Sequence, residues 1–152
     1  MMKLGYSVQD SLDRTTTTPA TSTLQATSTR DSLPRRMSDF ATLGEALDYA
    51  ATREQFGQQI GKFQGVSFQI ADMITEIDAA DLLTLAAADR LDKGLPANRE
   101  IASAKLYASE MLARVTDAAI QIHGGMGLMD DYPLERFWRD ARVERIWDGT
   151  SE

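Results

Sequence analysis

The sequence predicts an all-α fold, an up-and-down bundle of about four helices joined by short connections. Three observations carry that expectation. Beyond residue 40, apolar residues recur every three to four positions over long stretches. No run alternates convincingly as a half-buried strand would. Glycine and proline cluster between the periodic stretches, at Gly57 and Gly61, at Gly94 and Pro96, and in HGGMG.

The chain opens on a different texture. Residues 1–40 include RTTTTPATSTLQATSTRDS, a Thr/Ser-rich tract with almost no apolar periodicity. Such a composition cannot bury enough surface to offset its ordering entropy, so a disordered tail is expected up to residue 40. The tail holds five basic and four acidic residues, a charge of +1, which leaves −8 on the remaining chain.

The first helix is expected in DFATLGEALDYAATREQFG, with Ser38 or Asp39 as N-cap and Phe40, Leu43, Leu47 and Ala50 along one side. Gly57 and Gly61 mark the turn after it. A long second helix should run from about Phe63 to Leu91. Its apolar stripe is Val66, Ile70, Met73, Ile74, Ile77, Leu82 and Leu85. Gly94 caps that helix and Pro96 follows. The third spans about Asn98 to Ile122, with Ile101, Leu106, Ala108, Leu112, Val115, Ala119 and Ile122 apolar, until the glycines of HGGMG stop it. Pro133 suits the first turn of a shorter fourth helix reaching Trp147. Met73, Met111, Phe137 and Trp138 read as core or interface fillers, whereas Met126 and Met129 sit among turn residues.

Composition excludes several chemistries. A length of 152 residues suits one core-bearing domain. The net charge of −7 argues against non-specific nucleic-acid binding, which needs a basic footprint. With no cysteine there are no disulfides, thiolate metal sites or thiol nucleophile. The lone His123 rules out a multi-histidine metal centre within one chain, so no metal site is expected. A ferritin-like di-metal bundle is disfavoured because no Glu-x-x-His pair occurs, and Asp78 and Asp81 read as a solvated face. No segment approaches the roughly 18 apolar residues of a membrane span. The N-terminus shows no credible signal-peptide core, and Asp10, Asp13 and Asp31 weaken its faint likeness to a transit peptide. A cytoplasmic protein is expected.

Three stretches hold residues that plain helix packing does not need. In TREQFGQQIGKFQ, Arg53 lies near a helix C-terminus, beside Phe56 and a turn glycine. Locally it serves equally as a partner of the helix dipole or as a planar ligand for phosphate. In QIHGGMG, paired glycines permit left-handed backbone and close approach of a ligand, but also suit a plain C-cap. His123 there is a candidate base, although a lone histidine at a helix end is more often a cap or a solvated side chain. In WDGTSE, Asp148 is a candidate base. Thr150 or Ser151 could cap a following helix whose N–H groups receive an anion.

In order and spacing, REQFG, IGKFQ, QIHGGMG, YPLERFWRDAR and IWDGTSE together resemble the C-terminal α-helical domain of acyl-CoA dehydrogenases, from roughly Leu43 to Glu152. That resemblance implies FAD as cofactor and oxidation of an acyl-CoA thioester to the trans-2-enoyl-CoA. A carboxylate removes the α-proton while a β-hydride passes to the flavin, and hydrogen bonds to the thioester oxygen stabilise the developing enolate. By the same resemblance, Arg53 and Phe56 contact the FAD of a neighbouring subunit, and Gln64 is a further cofactor contact. Gln121, Ile122, His123, Gly124 and Gly125 meet its adenosine-diphosphate portion across the subunit interface. Thr150 and Glu152 lie near the FAD of their own chain. Asp148 aligns with the catalytic base, which is usually glutamate. It reads as a working base with altered reach, as a carboxylate near the flavin with the base elsewhere, or as structural.

The implied partners are acyl-CoA, further copies in a homo-oligomer and electron-transfer flavoprotein; nucleic acid and membrane are not expected. The family's N-terminal helical domain, middle β-domain and final helix have no counterpart in this sequence. It is therefore read as a fragment with weak FAD affinity and little activity alone. A non-catalytic helical oligomerisation or regulatory module is the alternative.

Overall fold

A computed structural model describes the backbone from Pro34 to Ser151 and side chains from Ala41 to Ser151. The Thr/Ser-rich tract and Glu152 lie outside the described residues. Among the described residues there are four helices: α1 (Pro34–Thr52), α2 (Gln64–Asp92), α3 (Asn98–His123) and α4 (Leu134–Glu144). Between α1 and α2 lie two very short strands, β1 (Glu54–Gln55) and β2 (Gln58–Gln59), and a single 3₁₀ turn, Ile60–Lys62. A second 3₁₀ turn, Gly124–Leu128, follows α3. The all-α reading holds.

Three boundaries differ from expectation. Helix α1 begins at Pro34, so Ser38 and Asp39 lie within it rather than capping it. Proline at the first position costs nothing there, because its missing N–H has no helical partner anyway. Helix α4 stops at Glu144 instead of Trp147, and Pro133 sits at its N-cap, where its carbonyl accepts from the Phe137 N–H at 3.0 Å. The hairpin was not foreseen, since two-residue strands are too short to show alternation.

Helix α3 is the centre of the bundle and packs on the other three. Its inward residues Met111, Val115, Ala119 and Ile122 meet Ala46 and Ala50 of α1, Met73, Ile77 and Ala80 of α2, and Leu134 of α4 in one core. Alanines on α1, α2 and α3 allow close approach of the helix axes. The methionines fill the irregular space that remains. Two buried hydroxyls are satisfied within their own helix, Thr116 donating to the Leu112 carbonyl at 2.8 Å and Ser109 to Leu106 at 3.1 Å.

The stripe expected on α2 divides in two. Met73 and Ile77 are buried, with Val66 and Ile70 packed at the core edge, but Leu82 is 68% and Leu85 53% exposed. A helix of 29 residues is about 43 Å long, and its apolar surface exceeds what this bundle covers. On α3, Ile101 and Leu106 are likewise exposed, as is Trp138 on α4. Helix α2 ends as Gly94 anticipated. The Leu95 N–H reaches the Arg90 carbonyl and the Gly94 N–H reaches Leu91, both at 2.9 Å, closing the end in a Schellman motif.

Candidate functional site

The C-terminus of α1 and the C-terminus of α3 meet around one cleft. Arg53 leaves α1 with its N–H bonded to the Tyr49 carbonyl at 2.8 Å, and its own carbonyl receives the Ile60 N–H at 2.8 Å. Between those anchors the hairpin pairs Glu54 with Gln59 and Gln55 with Gln58. Its two central residues, Phe56 (φ +53°) and Gly57 (φ +81°), both have positive φ, the signature of a type I′ turn. Glycine adopts this readily, but a bulky phenylalanine is strained there. The Phe56 side chain is 94% exposed, so burial does not offset the strain. Packing within this chain therefore gives no account of the strain at Phe56.

On the other wall, α3 ends at His123 and Gly124 follows with φ +61°. A cavity of about 620 Å³ is lined by Tyr49, Arg53 and Gln55 on one side and Gln121 to Met126 on the other, with Ile60 and Met129 completing it. Arg53, Gln121, Ile122, His123, Gly124 and Gly125 are thus brought together at one cavity. Phe56 and Gln64 are not among the lining residues. Gln64 opens α2, exposed, and Phe56 stands out at the hairpin tip with its ring edge-on to Phe63 at 6.2 Å.

His123 is neither a solvated side chain nor a base open to water. It is 3% exposed, and its ring stacks on Tyr49 at 4.1 Å and meets the edge of Tyr132 at 4.9 Å. Nδ1 lies 2.9 Å from the Ala119 carbonyl, which can only accept, so the neutral ring carries its hydrogen on Nδ1. Nε2 then presents a lone pair, buried and without a partner among the described residues. Burial beside two tyrosines corrects the solvated alternative, because stacking against α1 outweighs solvation, while the Nδ1 bond to the Ala119 carbonyl lies at the helix end. Tyr49 was missed in the sequence, although it stands one helical turn before Arg53 and so shares its face.

The second group lies after α4. Ile146 and Trp147 N–H groups return to the Val143 carbonyl at 2.8 and 3.2 Å, and the chain then turns sharply. Asp148 has φ +51° and Gly149 φ +102°, two successive left-handed residues. Aspartate tolerates this conformation better than most residues. Asp148, Gly149, Thr150 and Ser151 share a cavity of about 470 Å³ with Asn98, Ile101, Ala102, Lys105 and Leu106 of α3. The Lys105 ammonium donates to the Gly149 carbonyl at 2.5 Å. Asp148 and Thr150 are both exposed at this cavity, whereas the Ser151 Oγ is buried with no partner among the described residues. No helix starts at Thr150 or Ser151 within the described residues.

Upstream of the turn, Arg145 anchors α4 to α3. Its Nε donates to Glu110 Oε1 at 2.7 Å and its second nitrogen to Oε2, a bidentate pair. The Arg145 hydrogen bonds hold the Glu110 carboxyl below its ordinary value of 4.5. Partial burial opposes this, while the charges of Arg145, Arg114 and Arg142 reinforce it. A depressed carboxylate pKa gives stability that is complete above the unfolded value and is lost as pH falls through the folded one. Arg145→Met should therefore lower stability at neutral pH, and the gap to the parent should close below pH 4.5. Urea unfolding over a pH series measures it; a gap independent of pH would show that the pair contributes through packing alone.

Residues 40–152 match the family model for the C-terminal domain of acyl-CoA dehydrogenase. The chain belongs to the acyl-CoA dehydrogenase family. Among relatives of this acyl-CoA dehydrogenase domain, the probable acyl-CoA dehydrogenase YngJ of Bacillus subtilis is 50% identical over 112 residues, covering 74% of this chain and 30% of the relative. Subunit CarC of the caffeyl-CoA reductase–Etf complex of Acetobacterium woodii is 46% identical over 110 residues, covering 72% and 29%. The structure of butyryl-CoA dehydrogenase from Megasphaera elsdenii superimposes with a TM-score of 0.75 at 40% identity, over 77% of this chain and 30% of that one. The FAD complex of PigA does so at 0.71 with 35% identity, over 72% and 29%. The chain thus spans about 30% of the length of the curated relatives it matches.

Proposed function

We propose that this chain serves in FAD-dependent α,β-dehydrogenation of an acyl-CoA thioester, supplying the helical wall of the site. One observation carries the reading: Asp148, an exposed carboxylate held in a left-handed turn, stands at a cavity lined by Ile101, Ala102 and Leu106. An apolar wall beside a carboxylate suits an acyl chain whose weakly acidic α C–H must be deprotonated. Asp148 would take that proton, and bound FAD would supply the acceptor for the β-hydride, so that the acyl-CoA would leave as the trans-2-enoyl thioester. Thr150 lies two residues on, at the same cavity.

The first cavity suits the diphosphate and adenosine part of FAD. Arg53 is an exposed guanidinium with no ion pair among the described residues, a planar donor for phosphate. A Cβ on Gly124 or Gly125 would meet nothing within 4 Å, so at this point the backbone faces open space that a ligand can enter. The buried His123 Nε2 has no donor among the described residues. By family resemblance Glu152, with Thr150, is assigned to the FAD of its own chain, and Phe56 and Gln64, outside this cavity, are further FAD contacts. Phe56 reaches the cofactor from a neighbouring subunit in a homo-oligomer, which gives its exposed, strained position a use. Electron-transfer flavoprotein is the proposed acceptor, supported by the Etf complex to which the CarC relative belongs. The cytoplasm is the proposed compartment; no helix among the described residues is long and apolar enough to cross a membrane.

Two separate cavities of about 620 and 470 Å³, each open on one side, enclose neither FAD nor acyl-CoA. The isolated chain is therefore proposed to bind FAD weakly and to turn over little substrate. The test places residues 41–152 in the corresponding region of the Megasphaera butyryl-CoA dehydrogenase. The chimera should bleach its flavin with butyryl-CoA, and Asp148→Asn should slow that step by about 10²- to 10⁴-fold. An unchanged rate would remove Asp148 as base. A second reading, a non-catalytic oligomerisation module, is favoured by the uncovered Leu82 and Leu85. A chimera that assembles but never bleaches would support it.

A further inference from the structure

We infer that Lys105 is a positioning residue that holds the Asp148–Gly149 turn in its left-handed conformation; this rests on the reading of Asp148 as the base. A non-glycine residue with positive φ is strained and persists only where its surroundings hold it, and Asp148 is followed directly by a second positive-φ residue, Gly149. Within α4 and the turn that follows it, little does so. The Ser151 N–H reaches the Arg145 carbonyl at 3.2 Å, a long bond, and Asp148, Gly149 and Thr150 are all exposed.

The restraint comes from α3 instead. Lys105 reaches across 44 positions of sequence to the carbonyl of Gly149, the second left-handed residue. A charged donor makes this bond roughly twice as strong as a neutral one. Because the peptide is planar and trans, capturing that carbonyl also sets the direction of the Thr150 N–H, which points the opposite way. The Glu110–Arg145 pair, also rooted on α3, fixes the start of the same segment. The turn is thus held at two points by one helix, and Lys105 acts on the end nearer Asp148. Lys105 also lines the cavity that Asp148 faces, so the clamp lies inside the site it shapes.

The test uses this chain alone and reads conformation, not turnover, so it stands apart from any failure of Asp148 as base. In Lys105→Met, the three-bond amide–Hα coupling and ¹³C shifts of Asp148 should move away from left-handed values. Amide exchange at Ser151 should quicken by about tenfold, as expected for losing one charge-assisted bond at a partly exposed site. Lys105→Arg, which keeps a cation, should restore both. Amides of Met111 and Leu112 in the buried part of α3 serve as the internal control and should not change. The inference is overturned if Asp148 and Ser151 are unmoved in Lys105→Met. It is equally overturned if the control amides quicken by the same factor, or if Lys105→Arg and Lys105→Met lose the turn alike.

Discussion

Leu134→Ala is expected to destabilise the helical body by about 3 kcal/mol, within the 2–5 kcal/mol range for emptying a leucine site in a core. Leu134 is 0% exposed and belongs to the same buried cluster as Met111, Val115, Ala119 and Ile122. It is also the first residue of α4, placed directly after Pro133, so the cavity would open where α4 enters the core. Such a loss is a large share of the ordinary 5–15 kcal/mol of a domain. The midpoint of thermal unfolding should fall by about 10 °C. Leu128→Ala is the matched control, since Leu128 is 64% exposed and its truncation leaves no cavity. Urea unfolding of both variants measures the difference. A Leu134→Ala cost below about 1 kcal/mol would mean that α4 is not anchored by this side chain.

The effect should also reach the candidate site. Helix α4 carries Arg145 and leads into the Asp148 turn, and its main apolar anchor is Leu134. Loosening that anchor should widen the NMR lines of Asp148 to Ser151 even where the protein stays folded.

The second large effect is at His123, where two substitutions should diverge. His123→Ala removes a ring that stacks on Tyr49 and meets Tyr132, and should cost about 2–4 kcal/mol through lost packing and aromatic contact. His123→Phe keeps the ring. It loses the Nδ1–H bond to Ala119, worth about 0.5–1.5 kcal/mol, but also removes the buried Nε2 that lacks a partner, whose burial costs about 1–3 kcal/mol. Phenylalanine should therefore fall within about 1 kcal/mol of the parent. Equal destabilisation by both substitutions would show that the imidazole hydrogen bond, not the ring, holds the ends of α1 and α3 together.

Much of the fold could be read from short-range pattern. The spacing of Leu112, Val115, Ala119 and Ile122 marks the buried face of α3, because residues three and four apart share one side of a helix. Gly94 announces the end of α2 through a bond pattern that needs only neighbouring residues. The same patterning overstated α2, where Leu82 and Leu85 read as core yet lie exposed. Periodicity tells which face is apolar but not how far another element extends to cover it.

The candidate site divides along the same line. Arg53, Gln121 and the Gly124–Gly125 pair were legible as unusual residues at helix ends, and Asp148 as a carboxylate in a glycine turn. What they do depends on contacts that no local pattern encodes. The sequence by itself determined the helices, their order and the residue types at each terminus, which follow from neighbours along the chain, and the family, which follows from five motifs in order. Only the tertiary structure decided that His123 is buried between two tyrosines, that Phe56 stands strained and bare, and that Lys105 grips Gly149. The His123 and Lys105 contacts join distant segments, so their energies are set by packing and burial rather than by residue spacing, while the Phe56 strain lies in the positive φ of its turn.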